Sequence, residues 1–358
     1  MSTTNHQSNH EIDFVTLGMF IIDDIYPPPS QSHLQPQKDV IGGAGTYSAV
    51  GARLFSPAPE QSKSVGWIVD TGTDFPTPVR DLIDSWQTGC LLRERQGLTT
   101  RGWNGYGENE HRAFKYLTPK LRLTADDLPG NLLASKSFHL ICGAGRCIDI
   151  VQRIRERREA ELGSDVPQPL IVWEPVPDLC VASEFEITLE ACKYVDVISP
   201  NHEELLALFS GRTEETGAGW RGSIAQMSRE LLVTDRLAVV LRCGKEGAYF
   251  AKLASLEASV NDGWLPAYYK DDSSKVEDPT GGGNGFLGGF AVGLVRNQGD
   301  LKEAVAWGNV SASLCIEQVG VPAVTSSPDS RAVDEQWNGS SVLERLTAYQ
   351  RRITDIGM

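Results

Sequence analysis

The chain has 358 residues, 41% of them hydrophobic, enough to bury the core of one large domain or two small ones. Its formal net charge of −14 argues against a nucleic-acid surface, which needs a basic stripe, and disfavours an anionic membrane, while leaving room for a local basic pocket around an anionic substrate. Seven cysteines, an odd number without a C-x-x-C pair, predict free thiols and a reducing, intracellular compartment; CGAGRC, residues 142–147, reads as buried thiols rather than a metal site.

The first eleven residues are polar and lack an apolar core, which predicts a disordered tail rather than a signal peptide or anchor. Six apolar runs then read as buried strands: DFVTLGMFII, KSVGWIV, SFHLICG, PLIVWEP, YVDVISP and RLAVVLRCG. Most are followed by a stretch of helical length, as SFHLICG is by CIDIVQRIRERREAEL and YVDVISP by NHEELLALFS. Strands alternating with helices predict a mostly parallel sheet covered on both faces, with ligands meeting the turns at the strand ends. Two segments break the rhythm, residues 26–45 and residues 91–118; they are rich in proline, glycine, spaced aromatics and polar residues. Both are expected to form a small second sheet acting as a lid. The tail after Pro322 predicts loops around a closing helix, SVLERLTAYQRR. No linker or repeat divides the chain, so residues 12–358 are read as a single domain. The longest apolar stretch, FLGGFAVGLV, falls short of the ~20 residues that span a bilayer, and a soluble cytoplasmic protein is expected.

The chemistry concentrates in EDPTGGGNGFLGGF, residues 277–290. Pro279 and the glycines break any preceding element, and Gly281, Gly282 and Gly283 allow backbone N–H groups to approach a ligand closely. Phe286, Phe290 and Leu294 recur every four residues, which predicts a helix starting at the loop. A glycine loop feeding a helix N-terminus is a cradle for phosphate. Two G-x-G-x-x-G matches, residues 217–222 and 283–288, lack the flanking elements of a dinucleotide site. The Walker P-loop, H-E-x-x-H and G-x-S-x-G patterns do not occur.

This loop resembles the second signature of the PfkB, or ribokinase-like, carbohydrate kinases, D-T-x-G-A-G-D before a glycine-bearing apolar helix. Asp278, Thr280, Gly281, Gly283 and Gly288–Gly289 fit that pattern. Further matches follow in the family's order over roughly residues 12–325. LGMFIIDD resembles the first strand, with Asp23 as the sugar-binding aspartate and Asp24 as its rival. VIGGAGTYSAVGARL resembles the first signature, with Gly42 and Gly43 on substrate. SPNHEELLALF resembles the N-x-x-E motif, placing Asn201 near phosphate and Glu204 near magnesium, through water. VVLRCGKEGAYF resembles the nucleotide-side turn with Gly244 and Gly247, and the later EAVAWGNVSASLCIEQVGVP supplies Asn309 near adenine. The resemblance implies a three-layer α/β/α sandwich with a mostly parallel central sheet and a small β lid. It implies an ATP- and Mg2+-dependent kinase acting on a hydroxyl of a sugar, nucleoside or related small molecule. Thr280 would then contact nucleotide, and a homodimer is allowed.

Three departures stand out. Asn284 occupies the place of the catalytic aspartate, Tyr47 stands where many members have asparagine, and WEPVPD replaces the D-x-N-x-R that supplies an arginine. The loop with asparagine resembles a fungal branch, the maintenance-of-killer-like proteins. An amide orients a hydroxyl but cannot take its proton as a carboxylate does. The alternative is therefore a catalytically retired PfkB-fold binding or scaffold protein, a pseudokinase serving particle or complex stability.

Overall fold

Alternation along the apolar strands decides the architecture. In LIVWE, Val172 faces one side of the sheet while Ile171 and Trp173 face the other; in AVVLR, Val240 opposes Val239 and Leu241 in the same way. Both faces are apolar, so both must be covered. The computed structural model describes residues 11–27, 35–106, 112–212, 219–254, 259–325 and 335–355. The expected N-terminal tail lies almost entirely outside these residues, as do the middles of both irregular segments and the first two residues of the 217–222 motif.

The strands are β1 (Phe14–Thr16), β2 (Ile21–Tyr26), β3 (Gln37–Gly42), β4 (Val65–Thr71), β5 (Gly89–Glu94), β6 (Arg101–Tyr106), β7 (Arg112–Tyr116), β8 (Ser137–Ile141), β9 (Leu170–Glu174), β10 (Val197–Ile198), β11 (Ala238–Arg242), β12 (Ala248–Leu253) and β13 (Val260–Leu265), with a two-stranded hairpin of β14 (Gln336–Trp337) and β15 (Ser340–Ser341). The helices are α1 (Ala44–Leu54), α2 (Thr77–Ser85), α3 (Gly130–Leu133), α4 (Ala144–Leu162), α5 (Phe185–Cys192), α6 (His202–Leu208), α7 (Gly219–Glu230), α8 (Gly282–Arg296), α9 (Leu301–Cys315) and α10 (Val342–Asp355). A nine-stranded sheet runs β13-β12-β11-β10-β9-β8-β1-β4-β5. It is parallel from β5 to β11, and β12 and β13 add an antiparallel edge. One core packs α1, α8, α9 and α10 on one face, and a second packs α4, α5, α6 and α7 on the other. This is the expected ribokinase-like sandwich.

The irregular segments supply most of a separate four-stranded sheet, β3-β2-β6-β7. Two boundaries differ from the sequence reading. DFVTLGMFII is not one strand: β1 stays in the main sheet, and the chain turns at Gly18, whose N–H donates to Thr16 Oγ1, before β2 joins the small sheet. Residues 91–94 belong to the main sheet's edge strand β5. The seven cysteines are free, six of them buried. Among the described residues no helix is long and apolar enough to cross a membrane.

Helix α8 lies close against α1. A Cβ on Gly288 would run into the Ser48 carbonyl oxygen, and the backbone of α1 has no rotamer with which to yield. Gly288→Ala is expected to cost about 1–3 kcal/mol, the range for overpacking a tight core, read as a lower urea midpoint with unchanged m-value. Gly145→Ala in α4, where nothing lies within 4 Å of the added Cβ, serves as the control and should hold or raise stability.

Candidate active site

The glycine loop folds as its residue types require. Gly281 caps α8 in the left-handed region at φ 78°, with the Tyr47 ring where its side chain would be. Tyr47 is buried in α1 and backs the turn. Gly282 N donates to Pro279 O at 3.2 Å and Gly285 N to Gly281 O at 2.8 Å. Gly283 and Asn284 sit in the first turn, where helix geometry leaves N–H groups without an intrahelical acceptor.

Position 284 is the centre of a charged network. Asn284 Nδ2 donates to Glu174 Oε2 at 2.8 Å. A carboxylate accepts only, so this contact fixes which end of the amide faces it and leaves Oδ1 for another partner. His139 Nε2 lies 3.2 Å from the same oxygen, and Arg242 Nη1 lies 2.7 Å from Glu174 Oε1. Burial pushes the Glu174 carboxyl upward, but Arg242, then His139 and Asn284, more than offset it and hold it below its usual range. Arg242 also donates through Nη2 to Ser199 O at 3.0 Å and stands 3.6 Å from Glu204 Oε2. A side chain on Gly283 would collide with Arg242 Nη1, so the guanidinium lies directly over the start of α8.

The N-x-x-E residues close on each other. Asn201 caps α6, Glu204 N donates to Asn201 Oδ1 at 2.8 Å, and Asn201 N donates to Glu204 Oε2 at 2.7 Å, a reciprocal capping box. Burial raises the Glu204 carboxyl, against the lowering effect of Arg242.

Two cavities flank this centre. One, of about 720 Å³, is lined by Arg242, Gly244, Gly247, Gly282, Gly283 and Asn309, among others, and so unites most of the residues expected on the nucleotide side. Asn309 is tied to Tyr349 OH at 2.8 Å. Thr280 and Asn201 are not in its wall; Thr280 N is turned to Asp278 Oδ1 at 2.9 Å.

The other cavity, of about 620 Å³, opens where parallel strands end. Its wall includes Gly18, Ile141 and Val176, each two residues beyond Thr16, His139 and Glu174 on β1, β8 and β9. Phe114 and Tyr116 of the small sheet cover it. The expected substrate residues adjoin this wall rather than line it: Ile21, which is in the wall, pairs with Gly42, and Ala44, also in the wall, follows Gly43. Asp23 is buried between Gly42 and Gly102, and burial followed by its negative charge raises the nearby Tyr116 phenol. Its rival Asp24 instead pairs with Lys38 at 2.6 Å on the surface.

Comparison with known proteins gives the geometry a family. Residues 176–328 match pfkB family carbohydrate kinase. The chain is 36% identical over 346 residues to Protein MAK32 of Saccharomyces cerevisiae, covering 94% of this chain and 91% of that one. The chain belongs to the PfkB family, in its fungal MAK32-like branch. An uncharacterized protein from Schizosaccharomyces pombe is 34% identical over 349 residues, with 95% and 93% of the two chains covered. The ribokinase-like fold is shared with ribokinase from Giardia lamblia (TM-score 0.65, 13% identity, 97% and 100% covered). It is shared also with a putative ribokinase II from Escherichia coli solved with ATP and Mg2+ (TM-score 0.62, 16% identity, 95% and 99% covered).

Set beside the PfkB pattern, the structure adds three residues that sequence reasoning missed: Glu174, Arg242 and His139. The signal was there. Glu174 and Arg242 are charges ending otherwise apolar strand runs, and a charge in such a place needs a buried partner.

The contact between Asn284 and Glu174 predicts what the family residue would do here. Asn284→Asp puts two carboxylates at hydrogen-bond distance, and one of them is forced to hold its proton. A carboxyl whose pKa is raised on folding stabilises the fold below its unfolded value near 4 and loses that contribution as pH rises through the folded value. The variant should therefore melt below wild type at pH 8, by about 1–3 kcal/mol in stability, and approach wild type near pH 5. Glu174→Gln combined with Asn284→Asp should remove that pH dependence. Parallel melting curves of the single variant and wild type from pH 5 to 8 would refute the contact.

Proposed function

We propose that the protein is an ATP-dependent phosphotransferase acting on a hydroxyl of a sugar, nucleoside or related small molecule. The observation that carries this reading is Arg242 held over the first turn of α8, in the wall of the larger cavity, with the smaller cavity beginning two residues past Glu174, Asn284's partner, and past His139. Nucleotide would lie against Gly244, Gly247 and Asn309, with its terminal phosphate toward Gly281–Gly283. The amides of α8 and the Arg242 guanidinium would stabilise charge on the transferring group, where positioning and electrostatics carry most of the catalysis. Asn284 Oδ1 would orient the acceptor hydroxyl, and Asp23 with Gly43 would hold its neighbours. With its amide on Glu174, Asn284 takes no proton, which fits slow turnover.

Bound ATP supplies the phosphoryl group, and Mg2+ neutralises its phosphates. The donor set fits an ion held chiefly by nucleotide: among the described residues no group of three or more His, Cys, Asp or Glu side chains gathers as a metal site. Glu204, with Oε2 engaged by Asn201 and Arg242, would meet the ion's water shell through Oε1. The small sheet would act as the lid over the acceptor. A second reading, the retired binding or scaffold protein, is favoured by the same Asn284–Glu174 bond, which ties up the position that would take the proton.

Calorimetry with ATP–Mg2+ is expected to show binding that Gly283→Asp abolishes and Arg242→Ala weakens about tenfold or more, since a hydrogen bond to a charged group contributes about 1.5–3 kcal/mol. A wild-type protein that binds no nucleotide, with or without sugars and nucleosides, would sink the kinase reading. Binding without transfer to any acceptor would favour the scaffold. Hydrogen exchange tests the lid: protection in β2, β3, β6 and β7 should rise when an acceptor binds. Unchanged exchange with a ligand that demonstrably binds would make this an ordinary surface sheet.

A further inference from the structure

The smaller cavity carries a charge pattern that the hydroxyl chemistry alone does not require. Lys120, Arg122 and Arg146 all line it, in a chain whose net charge is −14. Several arginines elsewhere are taken up by carboxylates, Arg53 by Glu335, Arg93 by Asp70, Arg101 by Asp74, Arg296 by Asp13 and Arg345 by Glu317, while others, such as Arg155 and Arg158, are spent on backbone carbonyls. Among the described residues none of the three cavity cations has a carboxylate within 4.0 Å. Lys120 Nζ lies 4.4 Å over the Tyr116 ring, and Arg146 Nη2 donates to Leu123 O at 2.6 Å, leaving its other donors available. Asp178 and Glu184 are the carboxylates of the same wall, so cations outnumber anions there, the reverse of the whole chain.

Much of the remaining wall is apolar, with Ile21, Phe114, Leu123, Ile141 and Val176. A neutral polyhydroxyl compound could bond Asp178 and Glu184 but would leave the surplus positive charge of that side unmatched. A compound with one anionic end would match it, in a setting where apolar walls concentrate the field. Helix α4 begins at this wall, capped by Gly143 with no acidic residue in its first turn, and its N-terminal partial charge has the same sign.

We propose that the acceptor carries a phosphate or carboxylate group, held by Lys120, Arg122 and Arg146, with its reacting hydroxyl directed toward Asn284. This rests on the phosphotransferase reading for the hydroxyl's role, but the anion contact itself is testable by binding alone.

The test is calorimetry on the full chain, without ATP, using matched probes: glucose, glucose 6-phosphate and glucuronate, and fructose with fructose 6-phosphate. At least one anionic member should bind about tenfold or more tightly than its neutral partner, about 1.4 kcal/mol. The preference should shrink as salt rises from about 0.05 to about 0.3 M. The phosphate and carboxylate arms identify which anion the site takes. Arg122→Ala with Arg146→Ala should abolish the preference; Arg122→Ala with Lys120→Ala, both on exposed side chains, repeats the test if the first pair unfolds, with the ligand-free melting temperature as the check. The proposal is overturned if no anionic member binds better than its neutral partner, or if the preference survives loss of the charges. Failure of phosphoryl transfer in a protein that keeps the preference would overturn the phosphotransferase reading and leave the anion site standing.

Discussion

The Glu174 carboxylate is the point on which the centre of the molecule depends. It is a charge buried at the end of an apolar strand, where an unpaired carboxylate would be costly. It stays ionised because Arg242, His139 and Asn284 converge on it. Those partners come from β11, β8 and α8, so one acidic side chain fixes the register of the elements around the glycine loop. Asn284 is therefore one half of a matched pair. An amide can donate to Glu174, and a carboxylate cannot. Asn284 and the acidic residue in WEPVPD thus form a complementary donor and acceptor. Arg242 completes the arrangement with a positive charge at the loop.

The fold was largely legible in the chain. Alternating buried strands and helices, the glycine loop and the closing helices all follow from periodicity and from turn residues whose physics is local. The break inside DFVTLGMFII was not legible, because hydrophobicity does not say which sheet a strand joins; a hydroxyl from Thr16 satisfying the Gly18 amide turns the chain there. The choice between Asp23 and Asp24 needed three dimensions as well, since adjacent residues on a strand face opposite sides. One is buried between glycines and the other meets Lys38. Within the site, Gly244 and Gly247, singled out by the resemblance, line one cavity with Gly283 of the glycine loop. Thr280 and Asn201 did not join them, because local hydrogen bonds engage their loop amide and cap side chain. The Glu174–Arg242 pair joins residues far apart in sequence, and no local pattern announces such a partner.

The junction between the small sheet and the main body has a mechanical meaning. Strand β3 ends at Gly42 and α1 begins at Ala44, so Gly43, at φ 88°, is the single residue between them. Beyond it α1 is wedged against α8 where glycines let the two backbones touch, and its Tyr47 ring props the Gly281 turn. Helix α1 thus behaves as a fixed strut rather than a moving part. Rotation of the small sheet on this side must be taken up at Gly43, or else be passed through the strut as a push on the phosphate loop itself.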